Sequence, residues 1–190
     1  MNDILFKIKR NIFPSIRGFL LQTKYILNNK IVIGKKIRIK ARFEHVLHPG
    51  CQCTIGNKVI IGKNSTIAVT SMGYLCIADS VGLGDNNQIV CHGNITIGKN
   101  TILGPNVLIY DHNHKFNAQL GVNRFEYDVD EVKIGEGCWI GSNCVILKGV
   151  HIGNKCIIGA GSIVTKNIPD NSVAVGNPAK VIKTLDYDEL

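Results

Sequence analysis

Between Ile134 and Thr165 an aliphatic residue returns at every sixth position: Ile134, Ile140, Ile146, Ile152, Ile158 and Val164. Glycine usually follows it, and a small residue usually stands four places on (Cys138, Cys144, Val150, Cys156, Ser162). A period of six fits neither the 3.6-residue turn of a helix nor the two-residue alternation of a flat strand. It fits a short strand, a corner and a new strand, with one large apolar side chain per segment turned inward. The glycines are expected at the corners, where they adopt backbone dihedrals barred to other residues. Stacked turns of this kind make a solenoid, each coil covering the apolar interior of its neighbour.

The same rhythm begins at Ile33-Gly34 and Ile39, breaks through His45, His48 and Pro49, and resumes at Ile55, Ile61 and Ile67. After phase slips it continues at Ile77, Leu83 and Ile89, then at Ile97, Leu103 and Ile109. Each slip predicts a few extra residues bulging at a corner. Residues 111–131, DHNHKFNAQLGVNRFEYDVDE, abandon the pattern altogether. A polar, histidine-bearing excursion from a regular scaffold is where function concentrates. Residues 1–30 carry no such rhythm. There Ile4, Leu5, Ile8, Ile12, Ile16, Phe19, Leu20 and Leu27 mark apolar stripes of short helices, broken or entered at Pro14. The expected organisation is a basic, apolar helical segment over 1–30 and a solenoid over 31–190, with the excursion and a C-terminal tail.

A chain of 190 residues allows one domain with an appendage. No run reaches the length of a membrane span and no secretory signal is visible, so the cytoplasm is the expected compartment. The seven cysteines lack paired metal spacing, and three fill the small-residue slot, so they read as reduced core residues. Cys138 and Cys156 are expected to stack in neighbouring coils.

The net charge of +8 is unevenly placed: residues 1–43 hold 11 Lys/Arg against Asp3 alone, whereas residues 44–190 hold 11 against 13 acids. The N-terminal segment then has two readings, a cap over the first coil or a helix on anionic lipid at the inner membrane face. No recognition module or row of stacking aromatics accompanies the charge, so nucleic acid is not an expected partner.

Taken together, the hexapeptide run, Asn113-His114, Trp139-Ile140-Gly141-Ser142, Gly159-Ala160-Gly161-Ser162 and Gly176-Asn177-Pro178-Ala179-Lys180 resemble the hexapeptide-repeat acyltransferases. Galactoside and maltose O-acetyltransferases and polysaccharide O-acetyltransferases are the nearest in look. The repeat pattern carries the resemblance over residues 31–184, and the specific motifs over 97–183. It implies an all-β, left-handed parallel β-helix of triangular 18-residue coils, assembled as a homotrimer with active sites between subunits. A six-residue period alone also permits coils of 12 or 24 residues. The resemblance further implies acetyl-CoA as cosubstrate, a saccharide or other small-molecule acceptor, and no metal.

Acetyl transfer from a thioester to a hydroxyl needs a base for the hydroxyl proton, a donor for the oxyanion, and a groove for the coenzyme. Imidazole suits the base because its free pKa lies near working pH. The family's Asn-His position falls on Asn113-His114, which makes His114 the expected base. His112 is expected to face away from it on an extended segment, in a structural or substrate-facing role. Asp111 and Glu126 are candidates to orient the imidazole, with Glu126 favoured. By the same resemblance Trp139 lines the acceptor and coenzyme cleft beside Gly141, and the Ser142 N–H is the oxyanion donor. Asn86 matches an asparagine that contacts the reacting groups. Gly159 and Ala160 would meet the pantetheine arm, with Thr165, Lys166, Lys180 and Lys183 on the coenzyme.

No match appears in residues 1–30 to the acidic acceptor-binding residue of the galactoside and maltose enzymes. That favours a different acceptor, a surface polysaccharide or its lipid-linked precursor. Three other readings use the same scaffold. One is an antibiotic O-acetyltransferase. Another is a γ-type carbonic anhydrase built on His92, His112, His114 and His151, whose spacing does not match that family. The last is a non-catalytic binding solenoid.

Overall fold

The computed structural model describes residues 11–185. The expected apolar positions of residues 1–10 lie outside them, as do the last acidic residues of the tail. The chain is the left-handed parallel β-helix that the resemblance implied. Its strands stack into three faces, so six coils make a triangular prism. The first face runs from Ile31–Ile33 to His151–Ile152, and the second begins at Arg38–Ile39. The third runs from Glu44–Leu47 to Ile163–Val164.

Each hexapeptide aliphatic stands in register with its counterpart one coil away. Ile97 pairs with Ile134 and Ile134 with Ile152 on the first face, and Leu103 pairs with Ile140 and Ile140 with Ile158 on the second. These side chains are buried and form one continuous core. At the first coil His45 takes the place of an aliphatic on the third face, stacked on Phe43 with the Tyr25 ring at its edge.

Coils of 18 residues hold only near the C-terminal end, where Ile134 pairs with Ile152. Ile33 pairs with Ile55 and Ile55 with Ile77, spacings of 22 residues, and Ile77 pairs with Ile97, a spacing of 20. The extra residues all sit where the third face turns into the first, as at 48–51, 70–73 and 92–93. The other two corners keep their length in every coil. The excursion leaves from that same variable edge. It forms an antiparallel hairpin of His112–Asn117 and Gly121–Val129.

The expectation for the motif glycines needs correction. Most do not adopt a left-handed conformation; they are glycines because the next coil lies against them. A Cβ on Gly135 would meet the Gly153 carbonyl oxygen at 2.5 Å, and one on Gly141 would meet the Ala160 nitrogen at 2.5 Å. The left-handed residues come two places later and are often asparagines: Asn64, Asn86, Asn106 and Asn143 all have φ between 52° and 60°. Asparagine tolerates that region better than other side-chain-bearing residues. These four climb one edge, with Asn64 Nδ2 donating to Asn86 Oδ1 at 3.0 Å and Asn106 Nδ2 to Asn143 Oδ1 at 2.9 Å.

The small-residue slot is buried as expected. The Cys138 thiol donates to the Gly153 carbonyl and the Cys156 thiol to that of Pro169, each at 3.0 Å. All seven cysteines are free. The tail forms a second hairpin, Ser172–Gly176 with Ala179–Thr184, which extends the second face. At the other end helix α1, Phe13–Lys24, is entered at Pro14 and lies on the first coil. Gln22 Nε2 donates to the Ile33 carbonyl at 3.3 Å and an Arg17 nitrogen to that of Ile39 at 3.4 Å. Gly18 fits beneath it, since any Cβ there would strike the Ile37 carbonyl.

Candidate active site

The histidine hairpin is shaped by its own polar residues. Asn117 Oδ1 accepts from the N–H groups of Gln119 and Leu120, and Gly121 takes a left-handed φ of 78°, which closes the turn. At its root Asp111 is fully buried and accepts from the His92 and Gly93 N–H groups, at 2.9 Å and 2.7 Å. The Asp111 carboxylate also meets His112 Nδ1, at 3.2 Å, and the Cys91 thiol.

Asp111 therefore anchors the hairpin and orients His112. His112 and His114 share a face rather than opposing each other, because strand side chains alternate and residues two apart point the same way. Both rings touch Tyr127, His112 at a centroid distance of 5.3 Å and His114 at 4.7 Å. Tyr127 stands directly across the hairpin from His114. His92 completes the cluster, 3.9 Å from His112 and 4.2 Å from Tyr127. Burial holds the His92 imidazole below its ordinary pKa, and the neighbouring His112 ring adds to that.

His114 itself is exposed, and its Nδ1 faces the Asn123 carbonyl at 3.2 Å. A carbonyl only accepts, so in the neutral imidazole Nδ1 carries the proton and Nε2 the lone pair. Glu126 does not reach this imidazole. It pairs with Lys115 at 3.1 Å, both side chains being well exposed. Hydrogen bonds from Phe125 and Glu126 N–H to Asn123 Oδ1 hold the loop that carries the accepting carbonyl. Asn113, opposite Asp128, is exposed on the other face.

The remaining expected site residues lie elsewhere on the prism. Trp139 points outward from the second face, 59% exposed, between Ile102 on one side and Ile157 on the other. The same row continues through Val173 to Lys183, and Lys180 pairs with Val175 on the closing strand.

Where the second face turns into the third, Gly141 N–H donates to the Ile158 carbonyl and Asn143 N–H to that of Pro105. The Ser142 N–H sits between them. Gly159, Ala160 and Gly161 form the next corner up, with Gly161 N–H on the Ser142 carbonyl at 2.8 Å. Ser162 faces inward, its hydroxyl donating to Gly159 O at 2.6 Å. Asn86 lies on this edge too, two coils below Ser142. Thr165 and Lys166 are exposed past the last third-face strand, at the edge from which the hairpin departs.

One chain thus brings Asp111, His112 and His114 together on one edge. It brings Asn86, Gly141, Ser142, Gly159 and Ala160 together on another. One cleft of about 520 Å³ lies beside Lys133, His151 and Asn154, away from both groups, and another of about 390 Å³ lies at the hairpin tip, lined in part by Asn123. Among the described residues no three His, Cys, Asp or Glu side chains converge as metal ligands. The His92 and His112 rings pack against each other tilted by 32°, and His151 pairs with Glu131 at 3.3 Å.

Tyr127 and the packing of His92 were not anticipated. The signal for Tyr127 was the hairpin register, which a turn centred on NAQLG sets.

A parallel prism with a histidine hairpin on one edge and a glycine-rich corner on another defines the hexapeptide class of acyl transferases. A family model described as the hexapeptide repeat of succinyl-transferase matches residues 131–166. A Saccharomyces cerevisiae protein named as an acetyltransferase, YJL218W, is 33% identical over 159 residues, 83% of this chain and 72% of its own. An Escherichia coli K12 protein named as a lipopolysaccharide biosynthesis O-acetyl transferase, WbbJ, is 28% identical over 181 residues, 91% and 88% of the two chains. Among solved structures, a Bacillus cereus N-acyltransferase, AntD, in complex with an amino-dideoxyglucose nucleotide and coenzyme A superposes with a TM-score of 0.70. Its identity is 18%, over 86% of this chain and 89% of that one. The chain belongs to the hexapeptide-repeat acetyltransferases.

Proposed function

We propose that the protein transfers the acetyl group of acetyl-CoA to a hydroxyl of a surface polysaccharide or its lipid-linked precursor. His114 Nε2 takes the hydroxyl proton as the oxygen attacks the thioester carbonyl carbon. The Ser142 N–H holds the resulting oxyanion. Collapse expels the coenzyme thiolate, which takes the proton back from the imidazolium. The observation that carries this reading is the Nδ1 contact of His114 with the Asn123 carbonyl, which leaves Nε2 as a base.

The coenzyme fits the second edge. Ala160 is exposed at a corner where no bulky side chain blocks an extended chain, Trp139 offers a flat apolar surface, and Lys180 and Lys183 bring positive charge for phosphates. A saccharide acceptor accords with the relationship to an O-acetyl transferase of lipopolysaccharide biosynthesis.

The two halves lie on different edges of one prism, so we take the working site to form between neighbouring copies in a trimer. The hairpin tip, with Phe116, Leu120 and Phe125 exposed, accords with such packing.

Thiol release from acetyl-CoA, followed with a panel of saccharide acceptors, tests the reaction. Wild-type protein should turn over, and His114→Ala, with the same oligomeric mass, should lose on the order of 10²–10⁴ in rate. Undiminished turnover by His114→Ala would remove this imidazole from the mechanism.

A further inference from the structure

Helix α1 has two unlike faces. Pro14, Gly18 and Leu21 are buried against the first coil. At about 100° per residue, Ile12, Ile16, Phe19 and Leu20 fall on the opposite side. They are exposed there, Phe19 by 62% and Leu20 by 58%, and Leu27 just past the helix by 97%. Thr23 is the polar member of the stripe. A surface helix ordinarily turns its polar face outward; a contiguous apolar stripe facing solvent marks an interaction surface.

Charge says what covers it. From Asn11 to Phe43 the chain holds eight Lys/Arg and no acid. Arg17 and Lys24 run along one side of the stripe, their nitrogens reaching the Ile39 carbonyl and His45 Nε2, while Lys35 and Lys36 are exposed on the adjoining corner of the first coil and Arg38 on the strand that follows. A second copy meeting this face with its own would set cation against cation. An anionic bilayer offers both what the face lacks: negative headgroups for the lysines and arginines, and an acyl layer for the stripe. At 12 residues the helix is about 18 Å long, which suits a helix lying in the headgroup plane rather than crossing it.

We infer that α1 and the cationic first coil dock this end of the prism on an anionic phospholipid bilayer. Docking of this kind holds whichever hydroxyl the enzyme acetylates. It would place the prism at the surface where a lipid-linked acceptor resides.

Flotation of the full chain with vesicles tests it, using phosphatidylglycerol mixed with phosphatidylcholine against phosphatidylcholine alone. The wild type should float with the anionic vesicles only, and added salt should release it. The combined Ile16→Ser, Phe19→Ser and Leu20→Ser variant should lose at least about tenfold in bound fraction, with unchanged circular dichroism and oligomeric mass. Lys35→Glu with Lys36→Glu should weaken binding as well. Failure of the wild type to float with anionic vesicles would overturn the inference, as would equal flotation of the serine variant. A changed oligomeric mass in that variant would assign the face to a second copy of the chain. A gain in flotation on removing residues 1–10 would assign it to that segment. Either outcome overturns docking as stated.

Discussion

Asn123 carries much of the geometry at His114. Its carbonyl selects the tautomer, and its side-chain oxygen accepts the N–H groups that hold the loop in place. Glu126, favoured from sequence as the orienting acid, is held by Lys115 on an exposed surface, where an ion pair contributes about 0–1 kcal/mol. Glu126→Gln should therefore leave turnover within about threefold of wild type, by the same thiol-release assay. The Asn-His dipeptide was legible as a motif. The partner of its imidazole was not, because a backbone carbonyl leaves no residue-type signature.

His92 carries a pH prediction. Its imidazole is held below the ordinary value by burial, so as the solution is acidified the unfolded chain takes up its proton first. Stability from this site is complete above the unfolded pKa, about 6.5, and is lost as pH falls below that value through the folded pKa. His92→Phe should flatten the fall in urea midpoint between about pH 7.5 and about pH 5.5. An unchanged slope would mean that another group governs it.

At the scale of elements, the corner glycines divide by function. Gly135 has no room for a Cβ, since the Gly153 carbonyl would lie 2.5 Å away, whereas Gly161 has open space but a φ of 75°. Gly161→Ala should cost about 1 kcal/mol, the strain of a left-handed alanine. Gly135→Ala should cost more, about 1–3 kcal/mol, because two coils must separate. Urea unfolding of the two variants measures the difference, and equal costs would contradict the stacking account. Sequence could not separate these glycines, since one residue type answers both demands.

The six-residue rhythm did reveal the strands, the inward aliphatics and the small buried slot. Phase slips after Ile67 and Ile89 also marked where residues are added, and the coils of 22 and 20 residues carry theirs there, between the third face and the first. The number of segments per coil was not legible, because a period of six fits coils of two, three or four segments alike. The alternation that set His112 and His114 on one face was available from the sequence and applies to any extended segment.

At the scale of the whole molecule, the two groups of candidate residues stand on different edges of the prism. Insertions, including the histidine hairpin, leave from the edge between the third and first faces. The motif corners with Ser142 and Ala160 stack along the edge between the second and third. Local motifs identified both groups, but their separation depends on which corner each occupies, and that emerges only when the coils are laid in register.

We propose that one active site uses edges from two copies of the chain. Two inactive variants test it, His114→Ala on the hairpin edge and Ala160→Trp, which fills the exposed corner beside Ser142. Co-expressed with different tags and purified as mixed oligomers, they should recover part of wild-type thiol release, because some interfaces then join two intact halves. Mixed oligomers as inactive as either variant alone would place both halves of the site within a single chain and contradict the account.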